Sequence, residues 1–477
     1  MNMSSTFYGL GIAKGALTAS QVALDVTGQN IANVNTDDYT RQSADLVSVN
    51  YTGGKSKLAS NISSKVGQGV NVAGISQMRD SFLDARVRNA NSQFNTVDTI
   101  LSGLTDIEEV LDETMTDGLQ VMLNDFYIRL EGLSNNVGSI EYSTLVRASA
   151  EKVTQILNQH ATQLEQIGEE QLISCEVTVL NMNTTIDKIN ELNDQIKDQT
   201  IRGTVSNELL DMRNSYLDTL SGFINIVATT QTDGTVQVTS EGGIDVLDSN
   251  FSVLTSDSAV SIQRTDSSGT VSNFTPSEGV TKGYLNILNG AGTYAQDGES
   301  SFRGLLHYGR SLDSFAAAFA GTFNDINTLD DASPANLFTG TTATDISISQ
   351  AWYDDANYIV VADQGTNDNV IKMINALDQE INISLYPGVN GSFESFSRTL
   401  MSNVAVDVDY YKDIGQTHGN ILASISNQRE ALSGVSTDEE AINMIKFQRA
   451  YQAAARYMTV LDENLNTLIN SMGVVGR

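Results

Sequence analysis

The last forty residues constrain this chain more than any other stretch. Met444, Tyr451, Met458, Leu465 and Met472 recur every seven positions. Phe447, Ala454, Leu461 and Leu468 form a second series offset by three. Together they make an unbroken a/d seam over four heptads, the pattern of a helix built to lie along another helix. Methionine at three a positions gives that seam an adaptable surface. Ser436 or Thr437 can cap its start, and Asp438, Glu439 and Glu440 fill the first turn, where carboxylates favour the positive end of the helix dipole.

The opposite end carries a thinner version of the same pattern. Leu10, Leu17, Leu24 and Ile31 recur every seven residues, flanked by Ala13, Ala16, Ser20, Ala23 and Thr27. Small neighbours let a partner helix come close but bury little area, so such a helix is marginal alone and needs a partner surface. The glycines Gly9, Gly11 and Gly15 invite a dinucleotide-loop reading. That loop needs a buried strand before it and a second strand at βαβ distance after it, and neither is present. The N-terminus also lacks the basic and compact apolar regions of a cleaved leader.

Two arrangements are open. The terminal helices pair with each other and close one helical domain, or they pair with neighbouring subunits. A fibre-like assembly uses both.

Composition narrows the partners. With 27 Lys+Arg against 58 Asp+Glu the formal charge is −31. So acidic a surface repels phosphate backbones and anionic lipid, so neither nucleic acid nor membrane is expected as a partner. No apolar run reaches the roughly 18 residues of a membrane span. Cys175 is the single cysteine, so no intramolecular disulfide can form, and it reads as a small buried hydrophobe.

Chemistry is sparse. His160 and His418 fall in helical stretches and read as partly exposed structural residues; His307, in "LLHYG", reads as a core or boundary residue. Asp407, Asp409 and Asp413 lack the glycine and terminal glutamate of a calcium loop. Arg79, Arg86 and Arg88 read as an ion-pair face. No catalytic, cofactor-binding or metal residue is assigned, and no cofactor is expected.

The fold class expected is α+β and multidomain. A long, coiled-coil-like helical core is built from both termini, with an inserted β-rich outer domain. Residues 1–40 hold the N-terminal heptad helix, and 41–222 an extended segment followed by long helices beginning near Ser76. Residues 223–395 hold the β-rich insert, with a helix at 302–328 returning to the core, and 396–477 the C-terminal core and terminal helix. "ADLVSVNY" reads as a strand, "GGKSK" as a turn, Asp233-Gly234 as a hairpin turn, and "DISISQAWYDDANYIVVAD" as further strands.

Two motifs add a resemblance. "NIANVNTDDYTRQ", Asn30 to Gln42, resembles the N-terminal motif shared by the axial proteins of the bacterial flagellum: rod, hook and hook-associated proteins. "GVSTDEEAINMIKFQRAYQAAARYM", Gly434 to Met458, is similar to the C-terminal motif of the hook-associated members. The likeness covers about the first 220 and last 80 residues. One departure is that the family usually has Pro-Gly where this chain has Asp37 and Asp38, which can turn through side-chain bonds to their own backbone.

The resemblance implies a non-enzymatic structural subunit outside the cell, at the junction of hook and filament. It implies contacts with hook protein, a second hook-associated junction protein and copies of the chain itself. It implies type III export without a cleaved signal peptide, and a cytoplasmic export chaperone on the C-terminal helix. The assembly residues expected are the two stripes named above. The alternatives are another axial protein, flagellin-like or the second junction protein, or an adhesin or enzyme module carried on flagellar ends.

Overall fold

The computed structural model describes residues 8–49, 67, 69–111, 118–204, 206–256, 259–327, 335–360, 367–382 and 390–467. Helix α1 (Tyr8–Ala32) leads into an antiparallel ribbon, β1 (Gln42–Ser48) with β2 (Val70–Gln77). The "GGKSK" turn lies outside the described residues. The ribbon lies across α1, and two glycines permit it: a Cβ on Gly15 would sit 2.7 Å from the Val70 carbonyl oxygen, and Gly69, at φ +91°, packs on the Ile12 backbone.

The first long helix, α2 (Ser81–Leu111), starts later than the expected Ser76, because Val70–Gln77 is a strand. Then follow α3 (Leu119–Asn135), α4 (Ile140–Arg202) and α5 (Asn207–Phe223). Helix α4 runs 63 residues without a break and ends on Gly203 in the left-handed conformation.

Five strands come next: β3 (Ile226–Thr230), β4 (Val236–Ser240), β5 (Ser249–Ser256), β6 (Ala259–Asp266) and β7 (Val271–Phe274). β3 and β4 form one hairpin, turning at Gly234 beside Asp233 as expected. β5, β6 and β7 form a three-stranded meander. The rest of 223–395 is mainly helical: α6 (Val280–Asn289), α7 (Leu305–Ile326), α8 (Gln350–Asp354) and α9 (Asp368–Asp378), with two-residue ribbons between. The described part of "DISISQAWYDDANYIVVAD", residues 345–360, is a short ribbon and helical turns rather than longer strands, wound so that Trp352 is fully buried; its last three residues lie outside the described ones. The chain closes with α10 (Phe393–Ser433) and α11 (Thr437–Asn466). The architecture is α+β, with long helices at both ends and small sheets in the middle.

Two cores share α4. The larger packs its first half against α3, α6, α7, α9 and the start of α10 around Phe126, Phe315, Phe319, Phe323, Phe338 and Phe393. Most of these rings meet at tilted or edge-on angles, for example Phe126 and Phe323 at 5.3 Å, while Phe315 and Phe319 stack. The smaller core packs Val179, Met182, Ile186 and Ile189 of α4 against α5 and the strands. Helix α10 runs back along α2, with Ile425 against Val87 and Ala90.

Candidate functional site

The terminal helices pair with each other, antiparallel, and away from both cores. At one end Gly9 lies under Leu461, where an added Cβ would be 3.1 Å from the Leu461 methyls; at the other, Asn30 meets Glu440. The buried face of α1 is made of small residues, Ala13, Ala19, Ser20, Ala23 and Thr27, with Val26. The heptad stripe Leu10, Leu17, Leu24 and Ile31 is not that buried face. It runs along the flank, half-buried. Helix α1 packs on both α11 and the β1–β2 ribbon, so small side chains line a face crowded from two sides and the bulkier leucines lie at its edge.

On α11 the d series faces α1: Ala454 is buried, and Phe447 and Leu461 are half-buried. In the a series Met458 and Leu465 are half-buried, while Met444 and Tyr451 are exposed. Leu468 and Met472 lie outside the described residues.

A polar joint holds this pair to the body of the molecule. Asn30, almost fully buried at the end of α1, uses both ends of its amide. Its Oδ1 accepts from the Gln42 N–H at 3.0 Å and from the Tyr39 hydroxyl at 2.9 Å. Its Nδ2 donates to the Gln42 carbonyl at 2.9 Å and to Glu440 Oε2 at 3.1 Å. One side chain thus fastens α1 to the start of β1 and to the first turn of α11. Arg41 completes the clamp, with its guanidinium 2.7 Å from both Glu439 and Glu440. Its backbone N–H donates to the Ser433 carbonyl, where α10 turns into α11. Ser436 is the residue that caps α11, its side chain accepting from the Glu439 N–H.

A second ring of ion pairs anchors the joint below. Arg79 forks onto Asp84, with both bonds at 3.0 Å, and donates to Thr40 Oγ1 at 3.2 Å. Asp211, on α5, accepts from the Thr40 N–H at 3.3 Å and from Gln77 at 2.8 Å. Asp218 takes Arg88 at 2.7 Å and also Arg429 from α10. The expected ion-pair face at Arg79 and Arg88 is therefore real, while Arg86 sits over the Phe82 ring instead.

Burial sets the electrostatics. It pushes the Tyr39 hydroxyl up to about 12, with the nearby carboxylates of Asp211, Glu208 and Glu440 adding to it. Burial also raises Asp211, against the pull of its bonds to Thr40 and Gln77 and of the Arg79 charge. Arg79 stays firmly charged, since Asp84 outweighs the burial that opposes its charge. A polar cleft of about 380 Å³ opens beside the joint, walled by Asn35, Asp37, Arg79, Asp211 and Arg429. Arg79, Asp211 and Arg429 in its walls are already engaged in the ion pairs and hydrogen bonds above.

The turn between α1 and β1 passes through Asp38 at φ +60°, the one non-glycine residue at positive φ among the described residues. That is where the family's glycine would fall. Asp38 is held there by Ser215, whose hydroxyl donates to Oδ2 at 2.6 Å.

The remaining sequence candidates are structural. Cys175 is fully buried, and burial pushes its thiol up to about 12. His160 is buried rather than partly exposed, and His307 is buried beside Tyr294 and Tyr308. Asp407 pairs with Arg303 at 2.6 Å and ties α10 to the segment before α7. Among the described residues no group of three or more His, Cys, Asp or Glu could hold a metal ion, and no helix is long and apolar enough to cross a membrane. Sequence reasoning missed Glu440, Asp211 and Arg429 as members of the joint. The capping position of Glu440 marked it only as a first-turn acid, and nothing local marks the other two.

Three family models match parts of the chain. Residues 104–338 match the model of the flagellar hook-associated protein FlgK helical domain. Residues 10–40 match that of the flagella basal body rod protein, and 428–472 that of the flagellar basal body rod FlgEFG protein C-terminal region. The two rod-type matches fall on the paired terminal helices. Flagellar hook-associated protein 1 of Bacillus subtilis is 30% identical, the match covering 100% of each chain. That of Escherichia coli is 24% identical over 96% of this chain and 98% of its own. The flagellar hook junction protein FlgK of Burkholderia pseudomallei has a solved structure that is 18% identical, covering 54% of this chain and 46% of that one, at a TM-score of 0.45. With terminal helices, joint and full-length likeness together, the chain belongs to the flagellar hook-associated protein 1 family.

Proposed function

We propose that this chain is a non-enzymatic structural subunit of the flagellar junction between hook and filament. The full-length likeness to the Bacillus subtilis protein carries the reading. The terminal pair supports it: an elongated helical rod, clamped at one end to a separate body, is a shape suited to packing beside copies of itself. In this reading the terminal pair faces the assembly axis and the β-rich module, together with the rest of 223–395, faces outward. Hook protein lies on one side and a second junction protein on the other. The chain leaves the cell through the flagellar type III apparatus, and a cytoplasmic chaperone covers the apolar outer face of α11 until then.

The test is complementation. A strain lacking this gene should assemble hooks, carry no filaments and release flagellin into the medium, and the wild-type gene should restore filaments. Antibody to this chain should label the distal end of the hook. Normal filaments in the deletion strain would sink the proposal.

A further inference from the structure

Beside the ring of ion pairs below the joint, one arginine has no carboxylate. Arg79, Arg88 and Arg429 share Asp84, Asp211 and Asp218, so those charges balance among themselves. Arg213, on α5, forms no ion pair among the described residues, although it is only 5% exposed. Its Nη1 donates to the Gly234 carbonyl at 2.7 Å, and its Nε is buried with no acceptor. Burial, with Arg88 and Arg79 beside it, lowers its guanidinium to about 10, so it stays charged at neutral pH. A buried charge is ordinarily paired, and this one is not. It lies in the wall of a cavity of about 330 Å³ between α2, α5 and the β3–β4 hairpin, a volume in the range that holds small molecules. Arg88 and Asn214 line the cavity with it, and Leu217, Ile226 and Val236 supply an apolar side. The carboxylates in the wall are occupied: Asp84 by Arg79, and Glu241, exposed at the edge, by the Asn225 amide at 3.4 Å.

We propose that this cavity binds a small aliphatic monocarboxylate, free in solution, with the carboxylate on Arg213 and the hydrocarbon part against Leu217, Ile226 and Val236. One unpaired positive charge calls for one negative charge, and Glu241 at the edge disfavours a second. A planar guanidinium matches a planar carboxylate and holds it by charge-assisted hydrogen bonds. The apolar side selects against an inorganic anion, which leaves it unfilled. The recessed position of Arg213 selects for a free molecule, since an acidic side chain on another protein has to bring its backbone against α2 and the hairpin together. The bound molecule touches both helices and the hairpin, and so fastens the first hairpin of the β-rich module to the body. This site is independent of the junction reading.

Calorimetric titration of the purified full chain with sodium butyrate tests this. One equivalent should bind, with phosphate and chloride at least about tenfold weaker. Amides of β3 and β4 should exchange more slowly when butyrate is bound. R213M should lose at least about tenfold in affinity, and E241Q should bind more tightly. Because Arg213 is buried, a second variant covers the case in which R213M does not fold. Ala85, exposed on α2, also lines the cavity, so A85L narrows it with Arg213 in place; it should weaken binding and keep the wild-type melting midpoint. No saturable heat with butyrate overturns the proposal, and so does unchanged affinity in A85L or in a folded R213M. Phosphate binding as tightly as butyrate overturns the aliphatic assignment. A blocked glutamyl peptide that binds more tightly than butyrate overturns the free-molecule assignment.

Discussion

Asp38 sits at φ +60°, a conformation that L-residues other than Asn and Asp rarely adopt. The sequence shows Asp-Asp where the family has Pro-Gly, and the departure looks like a change of loop shape. In this chain Asp38 takes a conformation that glycine adopts without strain, and the Ser215 hydroxyl bond helps hold it there. No local signal points to Ser215, which lies 177 residues away. Asn30 was legible as part of a motif but not as a device, because its four bonds go to partners that only the fold brings together. Replacing Asn30 with Ala leaves the backbone groups of Gln42 unpartnered in a buried place, at a cost of about 1–3 kcal/mol for each orphaned group. We expect faster amide hydrogen exchange throughout α1 and α11 with α4 unchanged. Uniform loss of protection across the chain would show that the joint is part of the main cooperative unit. His307 gives a pH signature. Burial, aided by the Arg303 charge, lowers it from 6.5 to about 4. The unfolded chain therefore takes up a proton first as pH falls. Stability is full above pH 6.5 and declines from there to about pH 4, by up to roughly 3 kcal/mol. His307→Met should flatten that limb of a denaturation-against-pH profile, and an unchanged slope would assign it to carboxylates.

At the scale of the element, helix positions followed from periodicity because a 3.6-residue repeat is written locally. Helix α11 starts at Thr437 with Ser436 as its cap, where its sequence pattern places the start. Which stripe is buried was not legible. The leucines every seven residues on α1 suggested the buried stripe, yet the residues of α1 that are buried include Ala13, Ala19 and Ala23 instead. Periodicity reports which residues share a face and says nothing of how near the partner's backbone comes. Ala454 faces α1 at the closest approach, so Ala454→Phe should force the helices apart, costing about 1–3 kcal/mol by overpacking. Limited proteolysis should then release residues 437–466 early, while the body keeps its melting midpoint. Protection equal to wild type would place Ala454 against open space.

For the whole molecule, the sequence distinguishes helical ends from a β-rich middle but carries no sign of how one depends on the other. The strands cover Met182, Ile186 and Ile189 of α4 and Leu217 and Leu220 of α5, so the module acts as a lid. Ile287, just past the strands, packs over Gly103 in the larger core. Composition shifts mark where a module begins, but coverage of a distant helix leaves no mark in the module itself. Excising residues 226–274 with a short Gly/Ser linker should therefore uncover an apolar band and yield an aggregating protein. A soluble, monomeric product would show that α4 and α5 cover each other without it.

The 63 residues of α4 span about 95 Å as one helix passing through both cores. A beam shared by two cores carries strain from one to the other with little bending, since neither end can rotate without dragging packed side chains at the far one. The molecule therefore resists twist as a single shaft. Torque entering at one end of the body emerges at the other rather than being absorbed between them.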